Sequence, residues 1–418
     1  MTTTASSLDQ KSVHVIKGLI MDTVRAANSG HPGGAMSSAD FAYVLFKDFL
    51  NFDPADSKWF KRDRFVLSAG HESALLYVLL TMRGILTFDD LKAFRQFGSK
   101  TPGHPEQDMT DGVEATTGPL GQGFAMAGGM AAAESFLSAY LDDATAGHFT
   151  YVLASDGDIQ EPICLGSAAL FGQWGLGRLI VYYDSNKIQL AGPTCRVDNV
   201  NHRALFESMH WHVLEIDGHD HEQIRAAIKA AHAETGRPTL IIGHTTMAKG
   251  AATLEGSEAT HGSPLPPEEI LATKTKLGLP DQGFYLPEDV IRHFQGRFAS
   301  LSAARASWDQ ALAARLADPV FAARWKNATQ PVCERSLTWP GFETGSGVAT
   351  RKAFGACLNA MMEQLPTLMG GSADLDPSNQ TVKFREAAGV FNAQTNPLGR
   401  NLCFGVREFP MGAILNGL

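Results

Sequence analysis

The chain has 418 residues, 44% of them apolar and 19% charged, with a net charge of −9. That balance excludes an intrinsically disordered chain and is enough for two or three domains with substantial cores. The acidic balance and the absence of a Lys/Arg block argue against nucleic acid as a partner, and no apolar run reaches membrane-spanning length.

Along the chain, helical periodicity predicts helices over 9–28, 37–50, 72–83, 120–141, 161–175 and 220–234. Apolar runs of buried-strand character occupy 64–68, 149–154, 178–183, 212–216 and 239–243. Such alternation predicts an α/β domain over residues 1–263, a parallel sheet flanked by helices. From 264 to 338 the sequence is rich in Pro, Ala and charge, with helical period and no strand candidate, and reads as a helical connector. A second α/β segment, 339–418, offers a helix around 350–364 and strands near 367–371 and 402–406. Two strands make a poor sheet alone, so either another chain or further residues are expected to complete it. Five cysteines (Cys164, Cys195, Cys333, Cys357, Cys403) without CxxC spacing read as reduced thiols. The N-terminus MTTTASSLDQ lacks a signal-peptide pattern, so a cytoplasmic protein is the default expectation.

Two strand ends carry the strongest chemical signal: Ser155-Asp156-Gly157 and Asp184-Ser185-Asn186-Lys187-Ile188. They belong to one βαβ unit, and open parallel sheets bind ligands at such carboxyl ends. A carboxylate (Asp156), an amide oxygen (Asn186) and a loop carbonyl such as that of Ile188 form an all-oxygen set. Such a set suits Mg²⁺ or Ca²⁺, with positions left for phosphate oxygens. The competing reading is that Asp and Gly simply turn the chain. His31, His71, His104 and His261 each lie beside glycine in a turn, where imidazoles can bond sugar hydroxyls or phosphate and move protons near neutral pH. Individually, each also reads as a solvated loop histidine. His210, His212, His219 and His221 lack the spacing of usual zinc ligands. Thr117 to Gly123, which opens a Gly/Ala-rich helix, is neither a Walker A loop nor a GxGxxG fingerprint. Arg351 and Lys352 begin a helix, and Gly370 to Leu375 with Ser378-Asn379 follows a strand, a weak phosphate-site signal.

Nine ordered motifs together resemble the transketolase family: ANSGHPG (27–33), SAGH (68–71), SKTPGHPE (99–106), TTGPLGQG (116–123), SDG with Asn186, DGHD (217–220), THG (260–262), GGSADLDPSN (370–379) and GVREF (405–409). The likeness runs from about residue 10 to the end and covers the amino-terminal two-thirds of that family's usual length. It implies the thiamine-diphosphate-binding fold and transfer of a two-carbon ketol unit from a ketose phosphate to an aldose phosphate through a carbanion on thiamine diphosphate. Asp156, Asn186 and the Ile188 carbonyl would hold the divalent ion, Mg²⁺ or Ca²⁺, that bridges the cofactor's diphosphate. Gly157 would admit the diphosphate, with Gly118, Leu120, Glu161 and Asp374 in the cofactor site. Glu408 would hydrogen-bond the aminopyrimidine and activate the cofactor. The four histidines would contact the sugars and assist proton transfer, with His71 and His261 also facing the cofactor, while Arg351 and Ser378 would bind sugar phosphate. The resemblance further implies a homodimer with the site at the subunit interface. The family pattern is broken at Ala69, Glu72, Ser155 and Pro162, none of which replaces a charged or ligating group. The alternatives are a dihydroxyacetone synthase-like ketol transferase and a non-catalytic cofactor-binding subunit of a split enzyme.

Overall fold

The computed structural model describes residues 2–418. Seven strands belong to the first part of the chain: β1 (Arg64–Leu67), β2 (Thr150–Ser155), β3 (Leu179–Ser185), β4 (Ile188–Gln189), β5 (Gly192–Pro193), β6 (His212–Asp217) and β7 (Thr239–His244). Five of them form one sheet in the order β1-β2-β3-β7-β6, every neighbour parallel. β2 and β3 are buried along their whole length, as continuous apolar strands covered on both faces must be. Side chains alternate between two cores. Leu67, Tyr151, Leu153, Ile180, Tyr182 and Ile241 face the amino-terminal helix Thr2–Ala26 and the helix Ser73–Met82. Val66, Val152, Val181, Leu240 and Ile242 face the helices Gln122–Tyr140 and Pro162–Trp174. Packing on the second face is tight: a Cβ on Gly128 would overlap three ring atoms of Phe171, which lies 5.7 Å from the Phe124 ring and 6.1 Å from that of Trp174.

The connector is helical (Pro267–Lys276, Glu288–Phe294, Phe298–Arg315, Pro319–Thr329). It is tied to the amino-terminal helix through Lys11–Asp289 (2.7 Å), Lys274–Asp22 (2.7 Å) and His293–Asp9 (2.7 Å). Beyond it, the helix Thr350–Gln364 accompanies a two-stranded parallel pair, β8 (Gly370–Ser372) and β9 (Asn401–Cys403). The helix Glu408–Leu415 packs this segment onto Gln122–Tyr140 and Pro162–Trp174, with Ile414 and Phe404 fully buried.

Several boundaries differ from expectation. The helix expected over 37–50 is replaced by three pieces, Pro32–Ser37, Ala39–Val44 and a π turn Leu45–Phe49, the first break falling at Ser38, where ψ relaxes to −8°. β9 stops at Cys403 rather than 406, where Gly405 turns the backbone to φ 62°. β8 includes Gly370–Ser372, so those residues form the strand rather than follow it.

Candidate active site

The carboxyl ends of β2 and β3 lie side by side, Ser155 opposite Asp184. β2 stops at Ser155, whose hydroxyl and Asp158 form a capping box that starts a short helix, Asp156–Gln160. Asp156 is therefore the first helical residue, not a strand tip. It is 5% exposed and accepts hydrogen bonds from the Tyr183 hydroxyl (2.6 Å) and the Lys187 N–H (2.9 Å). Burial pushes its carboxyl up to about 7, against the pull of the Tyr183 hydroxyl. The fully buried Asp184 accepts from Ser37 Oγ (2.5 Å), Asn186 Nδ2 (2.8 Å) and Thr245 Oγ1. Asp184 thereby fixes the Asn186 amide, whose Oδ1 accepts from the Ile188 N–H (3.0 Å). One buried carboxylate with two neutral oxygens on a common cleft fits a hard divalent ion completed by phosphate oxygens. Among the described residues no group of three or more His, Cys, Asp or Glu is placed to hold a metal. His219 and His221 instead bind Asp40, through Nδ1 at 3.1 Å and Nε2 at 2.8 Å, beside Lys17 at 3.0 Å.

The four turn histidines converge. His31 precedes the helix Pro32–Ser37, His71 sits in the turn Gly70–Glu72 after β1, and His261 follows the turn Glu258–Thr260. The His31 ring lies 5.3 Å from His71, 5.9 Å from His261 and 6.4 Å from His104, and His71 stacks on His261 at 5.4 Å. Arg95, held at φ 61°, donates to Ser29 Oγ (3.0 Å) and reaches His31 Nδ1 (3.4 Å). Since guanidinium has no acceptor, Nδ1 must accept and the proton of a neutral His31 lies on Nε2. Burial, then the Arg95 charge, lowers His31 to about 4. Burial, then the neighbouring histidines, lowers His71 to about 3. Burial also lowers His104 and His261. All four are neutral near pH 7, each with one donor and one acceptor nitrogen.

Asp158 ties the loops of the cleft together, accepting from Ser68 Oγ (2.6 Å), Gly121 N–H (2.7 Å) and Ser155 N–H (2.9 Å). Gly118, at φ 152°, runs beside the His104 ring, 3.4 Å from where its Cβ would be. The resulting cleft, about 450 Å³, is lined by His31, His71, Gly118, Leu120, Asp156, Gly157, Asn186, Ile188 and His261 among others.

The remaining sequence candidates lie elsewhere. Glu161 caps the next helix beside Gly121 rather than lining the cleft. Arg351, Asp374, Ser378 and Glu408 are exposed and outside it. Sequence reasoning missed Asp158 and Asp184 as organisers, although the Ser155-x-x-Asp158 capping box was readable. It gave Glu72 no role and did not single out Arg95, which carried no motif signal.

Comparison with known proteins places this cleft in context. Residues 8–329 match the family model described as transketolase, thiamine diphosphate binding domain, and residues 346–418 match transketolase, pyrimidine binding domain. The transketolase of Geobacillus stearothermophilus is 45% identical over 99% of this chain and 63% of its own length. Transketolase 2 of Escherichia coli is 42% identical over 97% and 62%. Among solved structures, the Leishmania mexicana transketolase superposes with a TM-score of 0.92 at 40% identity, covering 98% of this chain and 62% of its own. A Pichia stipitis transketolase in complex with sedoheptulose-7-phosphate gives 0.92 at 38% identity, covering 98% and 62%. The chain thus spans about 63% of the length of the curated relatives it matches.

Proposed function

Because the chain belongs to the transketolase family, we propose that it acts as a ketol transferase, moving a two-carbon unit from a ketose phosphate to an aldose phosphate with thiamine diphosphate and a divalent ion. The observation that carries this reading is one cleft lined by both the all-oxygen set and three neutral histidines, His31, His71 and His261, with the His104 ring beside it, 6.4 Å from that of His31. Asp156, Asn186 and the Ile188 carbonyl would hold Mg²⁺ or Ca²⁺, with the Gly157 backbone beside the diphosphate and Gly118 and Leu120 beside the ring. Bound thiamine diphosphate supplies the carbanion-stabilising chemistry. The histidines of this chain bind and orient sugar hydroxyls and exchange protons with them, which neutral imidazoles can do in either direction.

A homodimer would complete the site. Glu408, Arg351, Asp374 and Ser378 stand exposed on the last segment, which also exposes Trp339 (59%), Phe354 (54%), Val406 (77%) and Phe409 (63%). A second copy covering those side chains would bring a carboxylate to the aminopyrimidine and Arg351 with Ser378 to sugar phosphate, while Glu161 and Asp374 would face the cofactor there. A cytoplasmic setting accords with the free cysteines, and among the described residues no helix is long and apolar enough to cross a membrane. The test is turnover of a ketose phosphate with an aldose phosphate at saturating thiamine diphosphate and Mg²⁺, alongside native mass spectrometry. Cofactor-dependent ketol transfer by a dimer is expected. Cofactor binding without turnover would refute the catalytic reading, and formaldehyde as the preferred acceptor would make the protein dihydroxyacetone synthase-like.

A further inference from the structure

Glu72 follows His71 in the turn after β1 and lines the same cleft as Asp156, Gly157 and Asn186. It is 0% exposed, and neither carboxyl oxygen has a hydrogen-bond partner. Gly34 presses on it so closely that a Cβ there would overlap Oε1. The Ser38 hydroxyl lies beside it without completing a hydrogen bond of good geometry. The charged groups facing it are carboxylates: Asp184 from β3, and Asp158 and Asp156 from the short helix after β2. The imidazoles nearby, His71, His31 and His261, are held neutral by burial.

A carboxylate cannot ionise cheaply in such a place. Burial, then Asp184, drives Glu72 well above the usual carboxylate range. A neutral carboxyl carries one O–H donor, and here that donor is unused. No acceptor of the chain is hydrogen-bonded to it, and a diphosphate oxygen would be one.

We propose that Glu72 is a cofactor-binding residue whose protonated carboxyl donates a hydrogen bond to a diphosphate oxygen of the bound cofactor. This rests on the thiamine diphosphate reading given above. Glu72 then acts as a hydroxyl would, adding a donor to the anion site without adding negative charge.

The experiment is calorimetric titration of the full chain with thiamine diphosphate at saturating Mg²⁺, over a pH series, for wild type, Glu72→Gln and Glu72→Ala. Infrared spectra of wild type and Glu72→Gln accompany it. Wild-type affinity should fall as pH rises through the raised pKa of Glu72. Glu72→Gln, which keeps a donor of similar shape, should retain wild-type affinity at neutral pH and lose that part of the pH dependence. Glu72→Ala should bind roughly 10- to 100-fold more weakly, the loss of one hydrogen bond to a charged group. Wild type should show a neutral carboxylic-acid band that Glu72→Gln lacks. Superimposable pH profiles for wild type and Glu72→Gln would overturn the donor role, as would a Glu72→Gln variant with weakened Mg²⁺ affinity, the sign of an ionised metal ligand. No binding by wild type would overturn the cofactor reading and this inference with it, whereas tight wild-type binding with indistinguishable variants overturns this inference alone.

Discussion

Two glycine-to-alanine substitutions should separate the site from the fold, because the space around each glycine differs. Gly157 is the second residue of the helix Asp156–Gln160 and has no left-handed backbone, so alanine is conformationally permitted. Its new methyl would lie 2.7 Å from Leu120 Cδ1, the end of a half-buried side chain that can rotate away. Helix propensity favours alanine by about 0.5–1 kcal/mol, and displacing Leu120 from its rotamer costs about 0.5–1.5 kcal/mol, so stability should change by less than about 1 kcal/mol. The same methyl stands in the cleft, where the diphosphate would approach the Gly157 backbone. Losing one hydrogen bond to a charged group there costs about 1.5–3 kcal/mol, or roughly 10- to 150-fold in affinity. Gly128→Ala should do the reverse. Its methyl would overlap the buried Phe171 ring, which Phe124 and Trp174 hold in place. Overpacking of about 1–3 kcal/mol set against a propensity gain of about 1 kcal/mol gives a net loss of up to about 2 kcal/mol, with cofactor affinity unchanged. Urea unfolding of the cofactor-free protein gives the stabilities, and calorimetric titration with thiamine diphosphate and Mg²⁺ gives the affinities. Wild-type affinity in Gly157→Ala would refute the close-approach argument, and a fall in its stability matching Gly128→Ala would make Gly157 a packing residue.

Other outcomes follow from the same geometry. Asp156→Ala should abolish Mg²⁺-dependent cofactor binding, and unchanged affinity by titration would remove Asp156 from the metal site. Glu408→Ala should leave cofactor binding largely intact while ketol transfer collapses, since the side chain lies outside the cleft of its own chain; parallel loss of binding and turnover would mark it as structural. Asp63 is buried and accepts from the Asn51 and Phe149 N–H groups at 2.8 Å each, and burial raises its carboxyl to about 7. With the native pKa above the unfolded one, its contribution is fully present below about pH 4 and is lost as pH rises through 7, by at most ~4 kcal/mol. Urea unfolding between pH 5 and 8 should therefore show a smaller decline for Asp63→Asn than for wild type, and equal slopes would contradict the burial argument.

How far the site was legible depended on whether its signal was local. The strands read clearly because parallel strands buried on both faces are unbroken apolar runs, as in Thr150–Ser155 and Leu179–Ser185. Asp156 and Asn186 stood out because the end of a strand is a local event, and both line the cleft. The histidines were legible only as four separate turn residues. Their convergence within 5.3 to 6.4 Å joins turns that precede or follow different helices and strands, and no spacing in the sequence encodes that distance. Arg95 shows the limit sharply: an arginine in an ordinary loop becomes the group that sets the tautomer of His31 only because the chain folds it back through 64 residues.

Glu72 was visible in the sequence only as a departure from a motif, and nothing local announces a buried acid. Its neighbours come from distant parts of the chain, Gly34 and Ser38 before the sheet, Asp184 at the end of β3, and Asp156 and Asp158 after β2. The exposed residues argue in the opposite direction. Glu408, Arg351, Asp374 and Ser378 are exposed and share a segment whose two-stranded sheet and exposed Phe354, Val406 and Phe409 leave apolar surface in water. Burial against a second copy would relieve that cost, at about 25 cal/mol for each Å² covered, and would complete the cofactor site by the same act. On this argument cofactor affinity and dimerisation are linked, so dilution that splits the dimer should weaken thiamine diphosphate binding in step with the monomer fraction.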